Sequence, residues 1–154
     1  MHLSALTAAQ AHDIAQWHYE GPFSVYDWEG NAHLDNLSDF VGAHANVEGT
    51  ERLIGFVVFG PEARIPGLLE RPNVTDIGIG VHPQLLGHGL GIGLAQAALD
   101  YAYSSLGAQY LRAAVQTWNL RSQALCFRLG FHIDGQHTVT SQSGQQVQYY
   151  IFMR

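Results

Sequence analysis

The most informative segment of the sequence is Asp76-Ile-Gly-Ile-Gly-Val-His-Pro-Gln-Leu-Leu-Gly87-His-Gly89-Leu-Gly91-Ile-Gly93. Residues 74–81 are rich in β-branched residues and predict a strand that His82-Pro83 closes. From Leu90 to about Leu106, apolar residues recur at helical spacing and predict a helix. The glycines between them therefore lie where a strand turns directly into a helix.

Such a turn gathers unpaired backbone N–H groups and the positive end of a helix dipole, which suit a pyrophosphate. The dinucleotide-binding spacing G-x-G-x-x-G is excluded, because no glycine stands five residues after Gly87, Gly89 or Gly91. The alternative is that the glycines only allow a tight turn and close helix packing. Four glycines at alternate positions favour a phosphate-binding turn of a kind other than the dinucleotide fold.

Two blocks of the sequence resemble the GCN5-related N-acetyltransferase (GNAT) family. The acetyl-CoA motif of that family is Gln/Arg-x-x-Gly-x-Gly/Ala, and this chain has Leu86-x-x-Gly89-x-Gly91, with leucine in place of the polar residue. The second block is Asn119-Leu-Arg-Ser122 followed by Leu129-Gly130-Phe131, which resembles the Asn-x-x-Ala/Ser helix that ends in Leu-Gly-Phe. The blocks follow the family's order and spacing.

The resemblance implies a mixed α/β fold in a single domain, residues 1–154. The fold would have a splayed mixed sheet of about seven strands flanked by about four helices. The pattern along the chain places the elements as follows: helices at about 8–19, near 34–41, at 90–106 and at 119–129, and strands at 43–48, 52–60, 74–81, 110–116, 131–139 and 147–153.

The resemblance also implies acetyl-CoA as the cosubstrate. Backbone N–H groups of the glycine turn would hold its pyrophosphate, and a strand edge can pair with the amide-rich pantetheine arm as it would with a peptide. Arg121 is a candidate for the phosphates, although it could be a solvated helix side chain. The implied cofactor-binding residues are Ile79, Val81, Leu86, Gly87, His88, Gly89, Gly91, Asn119 and Arg121.

Transfer to an amine requires a neutral nitrogen, a donor for the oxyanion and a proton for the departing thiolate. Asp76 matches the position where some family members carry a carboxylate that accepts the amine proton; otherwise it is a strand-end carboxylate. Cys126 stands where many members have a general-acid tyrosine, but a lone helical cysteine usually packs. Ser122, Tyr149 and Tyr150 are alternative acids, and the thiolate could also leave without one.

Aromatic and acidic side chains at the end of the first predicted helix would border the acceptor cleft by the resemblance. Together they favour a cationic amine by cation–π and Coulomb attraction, although each by itself could be a core or surface residue. The predicted acceptor-binding residues are Trp17, Tyr19, Glu20, Tyr26 and Asp27.

The composition excludes several other functions. The chain has seven arginines, no lysine and a formal charge of −6, so it offers no basic patch for nucleic acid and no Walker or Schiff-base lysine. The nine histidines lack a metal-ligand spacing, and no Gly-x-Ser-x-Gly elbow occurs, so neither a metal site nor a serine hydrolase is expected. An apolar fraction of 47% excludes a disordered chain.

The expected location is the cytoplasm. The lone Cys126 cannot form an internal disulfide, the first residues lack the features of a signal peptide, and the apolar runs are too short to cross a bilayer. The sequence therefore predicts a soluble N-acetyltransferase that moves the acetyl group directly to a primary amine on a small molecule or peptide N-terminus. A homodimer through Tyr149–Phe152 is possible by the resemblance. The alternative, motivated by Leu86 and Cys126, is a degenerate acyl-CoA-binding sensor or interaction module.

Overall fold

The computed structural model describes residues 1–30 and 32–154. The described residues contain seven strands, three α-helices and four short 3-10 segments. The strands are β1 (His2–Ala5), β2 (Phe40–Val47), β3 (Thr50–Phe59), β4 (Val74–Val81), β5 (Tyr110–Gln116), β6 (His132–Thr140) and β7 (Gln146–Met153). The α-helices are α1 (Ala8–Ile14), α2 (Leu90–Ser104) and α3 (Leu120–Arg128), and the 3-10 segments are Gly21–Tyr26, Ala32–Asp39, Gly60–Ala63 and Pro83–Leu85.

The strands form one mixed sheet in the order β1-β2-β3-β4-β5-β7-β6. The pairs β1–β2, β2–β3, β5–β7 and β6–β7 are antiparallel, whereas β4 and β5 are parallel. The parallel pairing covers the first three residues of β4, from Val74 opposite Tyr110 to Asp76 opposite Arg112. The predicted mixed seven-stranded fold is confirmed.

The chain divides into two compact units that are interleaved in sequence. The first unit comprises Met1–Val58 and Ile79–Ala98, and the second comprises Phe59–Gly78 and Leu99–Arg154. β4 therefore contributes its first five residues to the second unit and its last three to the first. The single domain expected over the whole chain stays a prediction.

The predicted and observed elements differ most near the N-terminus. β4 and β5 have the predicted bounds, while β1 and the 3-10 segment Gly21–Tyr26 were not predicted. The expected helix near 34–41 is the 3-10 segment Ala32–Asp39, and its last two expected residues begin β2. A four-residue strand such as β1 carries too few side chains to show a period, so pairing with β2 decides its conformation.

Helix α1 begins as predicted but ends five residues early. The Thr7 hydroxyl accepts from the Gln10 N–H over 3.1 Å, and the Gln10 side chain accepts from the Thr7 N–H over 3.0 Å, which completes the predicted capping box. After Ile14 the backbone forms a tighter turn, in which the Trp17 N–H donates to the Ile14 carbonyl three residues back. The tighter turn places the Trp17 ring in the core, and this burial overrides the helical pattern.

An aromatic cluster fills the core of the first unit. The ring of Trp28 lies 5.2 Å from the rings of both Phe40 and Phe56, and Phe56 also lies 6.2 Å from Trp17. Tilted and edge-on ring contacts of this kind contribute to stability in addition to the contribution from the apolar area that they bury. The cluster attaches the irregular segment after α1 to strands β2 and β3.

Two glycines allow close approach beside this cluster. A methyl group on Gly55 of β3 would lie 2.4 Å from the carbonyl oxygen of Gly80 in β4. A methyl group on Gly80 would lie 2.4 Å from the ring of Phe56. Both distances are far below van der Waals contact, so the packing of β3 on the last residues of β4 requires glycine at both positions.

The core of the second unit is formed by β5, β7 and α3. Phe152 is completely buried, and the ring of Phe127 meets it edge-on at 5.3 Å. Arg154 crosses the end of this unit, donating to the Leu129 carbonyl over 2.7 Å and to the Tyr103 hydroxyl over 2.8 Å. In the described residues, no helix has both the length and the apolar content needed to cross a membrane.

Candidate functional site

The predicted glycine turn connects β4 to α2 within the first unit. Gly87 and Gly89 have φ angles of 80° and 75°, and α2 begins at Leu90. These backbone angles favour glycine on conformational grounds, and nothing lies within 4 Å of where a side chain at either position would begin. The turn therefore leads directly into the N-terminal end of the 15-residue helix α2, and the space beside its two glycines is open.

Gly91 has no such conformational reason to be glycine. It lies in the first turn of α2, its φ is not in the left-handed region, and a Cβ there would meet nothing within 4 Å. Glycine in a helix costs about 1 kcal/mol relative to alanine. Where a helix N-terminus carries no side chain, an anion can directly contact its backbone N–H groups. Anion binding would therefore explain why position 91 is glycine.

The histidine that follows β4 is held in one tautomer. The Nδ1 atom of His82 accepts a hydrogen bond from the Gln84 N–H over 3.1 Å, so a neutral ring carries its proton on Nε2. Burial and the charge of Arg52 lower the pKa of His82, which keeps the ring neutral. The nearby Leu86 is half-buried and His88 is exposed on the turn.

One predicted acceptor residue, Tyr19, contacts the end of β4, and a second, Asp27, contacts Tyr19. The hydroxyl of Tyr19 donates to the carbonyl oxygen of Val81 over 2.8 Å, and the Tyr19 N–H donates to Asp27 over 2.9 Å. The other carboxylate oxygen of Asp27 lies 3.1 Å from Nδ1 of His18. The backbone hydrogen bond from Tyr19, together with His18, lowers the pKa of Asp27, which therefore carries a negative charge.

The other predicted acceptor residues have different surroundings. Trp17 is 5% exposed, packs 4.6 Å from the His82 ring and donates its indole N–H to Asp13, so it serves the core. The structure thus gives Trp17 a core position, and its predicted acceptor role stays a prediction. Glu20 and Tyr26 are exposed at the two ends of the 3-10 segment Gly21–Tyr26.

Charged residues are distributed unevenly between the first 51 residues and the rest of the sequence. The first 51 residues contain no lysine or arginine and eight of the thirteen carboxylates, whereas all seven arginines come later. These 51 residues belong to the first unit. A surface of this sign attracts cations and raises their local concentration.

Asp76 lies in the second unit and is 3% exposed. Arg112 donates to its two oxygens over 2.6 and 3.0 Å, and Nε of Arg64 donates to it over 2.9 Å. Both oxygens are thus committed to guanidinium groups. The structure thus gives Asp76 the surroundings of a buried ion-pair residue, and its predicted catalytic role stays a prediction.

The two arginines around Asp76 were not predicted. Arg112 is itself buried and also donates to the Leu69 carbonyl over 2.8 Å, so it ties the segment before β4 to β5. One signal was present in the sequence, because Asp76 and Arg112 are each the single charged residue of their strand. Single buried charges are rare unless they are paired.

The second predicted block forms the start of α3. The side-chain oxygen of Asn119 accepts from the Ser122 N–H over 3.1 Å, which makes Asn119 the N-cap of the helix. Asn119 is buried, Ser122 is half-buried and Arg121 is exposed. The structure thus gives Asn119 a capping role, and its predicted contact with the pantetheine arm stays a prediction.

Cys126 is half-buried one turn after Ser122 on the same helix face. Burial raises the pKa of Cys126 to about 11, so the thiol is protonated at neutral pH. Its carbonyl accepts from the Phe131 N–H over 3.0 Å, where Gly130 ends the helix with a φ of 85°. These surroundings are those of a packing residue.

Tyr149 and Tyr150 were the alternative acids on β7. Tyr149 is paired with Gln116, the last residue of β5. Burial raises the pKa of Tyr149, and its hydrogen bond with Gln116 partly opposes this effect. The Gln116 side chain also accepts from the Trp118 indole, while Tyr150 lies on the opposite face of β7.

The predicted site residues fall into two sets, each within one unit. The structure brings Tyr19 and Asp27 together with Val81 at the end of β4, and the glycine turn follows directly. In the second unit Asn119 caps α3 and Ser122 and Cys126 lie on this helix, whereas Asp76 lies on β4. The set in the first unit comprises Ile79, Val81, Leu86, Gly87, His88, Gly89, Gly91, Trp17, Tyr19, Glu20, Tyr26 and Asp27.

Comparison with solved structures shows which proteins share this fold. A chimera of spermidine N-acetyltransferase SpeG from Vibrio cholerae and hSSAT has a TM-score of 0.71 at 19% identity, covering 98% of this chain and 93% of that one. Ribosomal-protein-alanine N-acetyltransferase from Brucella melitensis has a TM-score of 0.71 at 18% identity, covering 100% and 99%. The yncA protein from Salmonella typhimurium, with its cofactor acetyl-CoA, has a TM-score of 0.70 at 18% identity, covering 100% and 92%.

Comparison of sequences identifies the family. A search of curated proteins gives no match. The sequence profile described as "Acetyltransferase (GNAT) family" matches residues 5–131, which include the glycine turn, the Asn119 block and most of both units. The chain therefore belongs to the GNAT family of acetyltransferases.

Proposed function

We propose that the protein transfers the acetyl group of acetyl-CoA directly to a primary amine in a ternary complex. The observation that carries the proposal is the turn at Gly87–Gly91, which combines two left-handed glycines, open space and the N-terminal end of α2 in a chain of the GNAT family. Backbone N–H groups and a helix dipole in this arrangement suit the pyrophosphate of coenzyme A.

In this proposal the thioester lies along the last residues of β4. The main chain at Ile79 would pair with the pantetheine arm, as an extended peptide pairs with a strand edge, and the main chain at Val81 would orient the acetyl carbonyl. A backbone N–H at this edge would stabilise the negative charge that develops on the acetyl oxygen during transfer.

The proposed mechanism has no general base at Asp76. The amine would instead lose its proton to solvent or through ordered water before attack, and the nitrogen lone pair would then form a bond to the acetyl carbon. Collapse of the tetrahedral intermediate would break the carbon–sulfur bond and release coenzyme A thiolate, while the nitrogen would lose its second proton to solvent and become the amide. The thiolate is a tolerable leaving group, so its proton can come from solvent.

We propose a cationic amine as the acceptor. The acidic first 51 residues and the charged Asp27, which is hydrogen-bonded to the Tyr19 backbone, support this choice. Asp27→Asn keeps the oxygen that accepts from Tyr19 but removes the charge, so the KM for a cationic amine should rise several-fold while the KM for acetyl-CoA stays constant. Glu70→Gln, an exposed change in the second unit, is the matched control.

Calorimetry with acetyl-CoA, followed by thiol release over a panel of amines, tests the proposed activity. Binding with turnover is the expected result, whereas binding without turnover of any amine would favour the degenerate module instead. Gly89→Glu should abolish binding, because its carboxylate would occupy the phosphate position. Gly107→Glu is the control for backbone strain, since Gly107 also has a positive φ and open surroundings. Failure of the wild-type protein to bind acetyl-CoA would refute the proposal.

A further inference from the structure

The peptide group between Val81 and His82 is held from two sides within the first unit. Its N–H, that of His82, donates to the Ile54 carbonyl on β3 over 2.8 Å. Its C=O, that of Val81, accepts from the Tyr19 hydroxyl over 2.8 Å. The peptide bonds of the described residues are trans, and in a trans peptide the N–H and C=O point in opposite directions. The Tyr19 hydroxyl therefore lies on the edge of β4 that faces away from β3.

The loop that carries Tyr19 is closed on itself. The Tyr19 N–H donates to Asp27 over 2.9 Å across the 3-10 segment Gly21–Tyr26, and Asp27 also lies 3.1 Å from His18. These contacts fix the backbone of Tyr19 at the base of its side chain. The hydroxyl is thus held at Val81 by the fold of the loop as well as by its own hydrogen bond.

We infer that Tyr19 is a positioning residue for acetyl transfer, whose hydroxyl fixes the orientation of the Val81–His82 peptide on the edge of β4 that receives the thioester. The inference rests on the proposed function. In an extended strand, the N–H and C=O of one residue point to the same edge. Tyr19 already occupies the Val81 carbonyl. The Val81 N–H at the same edge would therefore donate to the acetyl oxygen and stabilise its developing negative charge.

The hydrogen-bond geometry argues against Tyr19 as the proton donor for the thiolate. A phenol has one hydrogen, and that hydrogen lies in the bond to Val81. Burial, aided by the charge of Asp27, raises the pKa of Tyr19 well above its ordinary value, so the hydroxyl stays neutral and keeps this bond. The contribution of Tyr19 is therefore to geometry, and its loss should affect the rate of transfer more than the binding of the cofactor.

Tyr19→Phe tests the inference, since it keeps the ring and deletes only the hydroxyl. We expect kcat to fall about tenfold or more, while the KM for acetyl-CoA changes by less than about twofold, because misorientation at the reacting group acts on the transition state. Tyr103→Phe is the matched control. It deletes a tyrosine hydroxyl that is hydrogen-bonded to Arg154 in the second unit, and kcat should stay at the wild-type value.

Two further measurements separate positioning from general stability. Thermal unfolding reports the stability of each variant, and the amide NMR signal of His82 reports the peptide that Tyr19 holds. That signal should shift in Tyr19→Phe and stay in place in Tyr103→Phe. A Tyr19→Phe protein with lower stability but wild-type kcat would overturn the inference alone. A wild-type protein that neither binds acetyl-CoA nor releases thiol with any amine would overturn the proposed function, and the inference with it.

Discussion

Asp76 and Arg112 form a buried ion pair across two parallel strands. Nε and Nη2 of Arg112 donate to the two carboxylate oxygens over 2.6 and 3.0 Å, and the two residues are direct register partners on β4 and β5. The pair lies within the three-residue parallel pairing of these strands. Removing one member would leave the other charge buried without its partner, which is far more costly than losing an exposed pair.

Asp76→Asn should therefore act on stability rather than on proton transfer. We expect a loss of about 3–5 kcal/mol in the free energy of unfolding, measured by chemical denaturation. The rate per folded molecule should change by the same factor at neutral and at high pH. A loss of rate confined to neutral pH would instead restore Asp76 as the base.

Asp134→Asn is the control for this change. Asp134 is 43% exposed and lies 3.3 Å from Arg71 in a surface ion pair. Its loss should cost less than about 1 kcal/mol. Equal destabilisation by the two substitutions would contradict the importance assigned to burial of the Asp76–Arg112 pair.

Gly91 offers a test of the phosphate site that is free of backbone strain. Gly91→Ala should stabilise the folded protein by up to about 1 kcal/mol, because alanine is the better helix former and has room. Gly91→Glu should fold as well but lose affinity for acetyl-CoA at least tenfold, since its carboxylate repels the phosphates. Circular dichroism and calorimetry measure the two effects, and unchanged affinity in Gly91→Glu would place the phosphates elsewhere.

Gly55 tests the close approach of β3 and the end of β4. Gly55→Ala places a methyl group 2.4 Å from the Gly80 carbonyl, so we expect a loss of about 1–3 kcal/mol or more from overpacking. Gly135→Ala is the matched strand control, because nothing lies within 4 Å of the added methyl. Thermal unfolding should show a large decrease for the first variant and little change for the second.

The raised pKa of Cys126 predicts a loss of stability at alkaline pH. Below the ordinary thiol pKa, Cys126 is protonated in both the folded and the unfolded chain. Between that value and about 11, the thiol ionises in the unfolded chain but not in the folded one. This ionisation lowers the free energy of the unfolded state, so the free energy of unfolding falls as the pH rises. Denaturation curves for wild type and Cys126→Ala over this range should converge.

Catalysis provides the second readout for Cys126. Cys126→Ala should keep a kcat within a few-fold of wild type, because a half-buried thiol with a pKa of about 11 is poorly matched to proton transfer at neutral pH. A rate loss above about tenfold in a stably folded variant would identify the thiol as the general acid, since acid catalysis is typically worth at least a hundredfold.

The sequence by itself determined the elements whose signals are local. The bounds of β4 and β5, the capping box at Thr7 and the glycine turn before α2 all follow from side-chain pattern and backbone preference within a few residues. The motif spacing of Leu86-x-x-Gly89-x-Gly91 and the Asn119 block was likewise enough to indicate the family that the profile match shows.

Tertiary structure decided the roles of the individual side chains. Trp17 follows the helical pattern, yet burial against Phe56 and His82 ends the helix before it. The role of Asp76 depends on Arg64 and Arg112, which are 12 and 36 residues away in sequence. Tyr19 reaches Val81 across 62 residues. A residue's neighbours at such separations depend on how the whole chain packs, so a local pattern cannot specify which polar groups will meet or which of them solvent can reach.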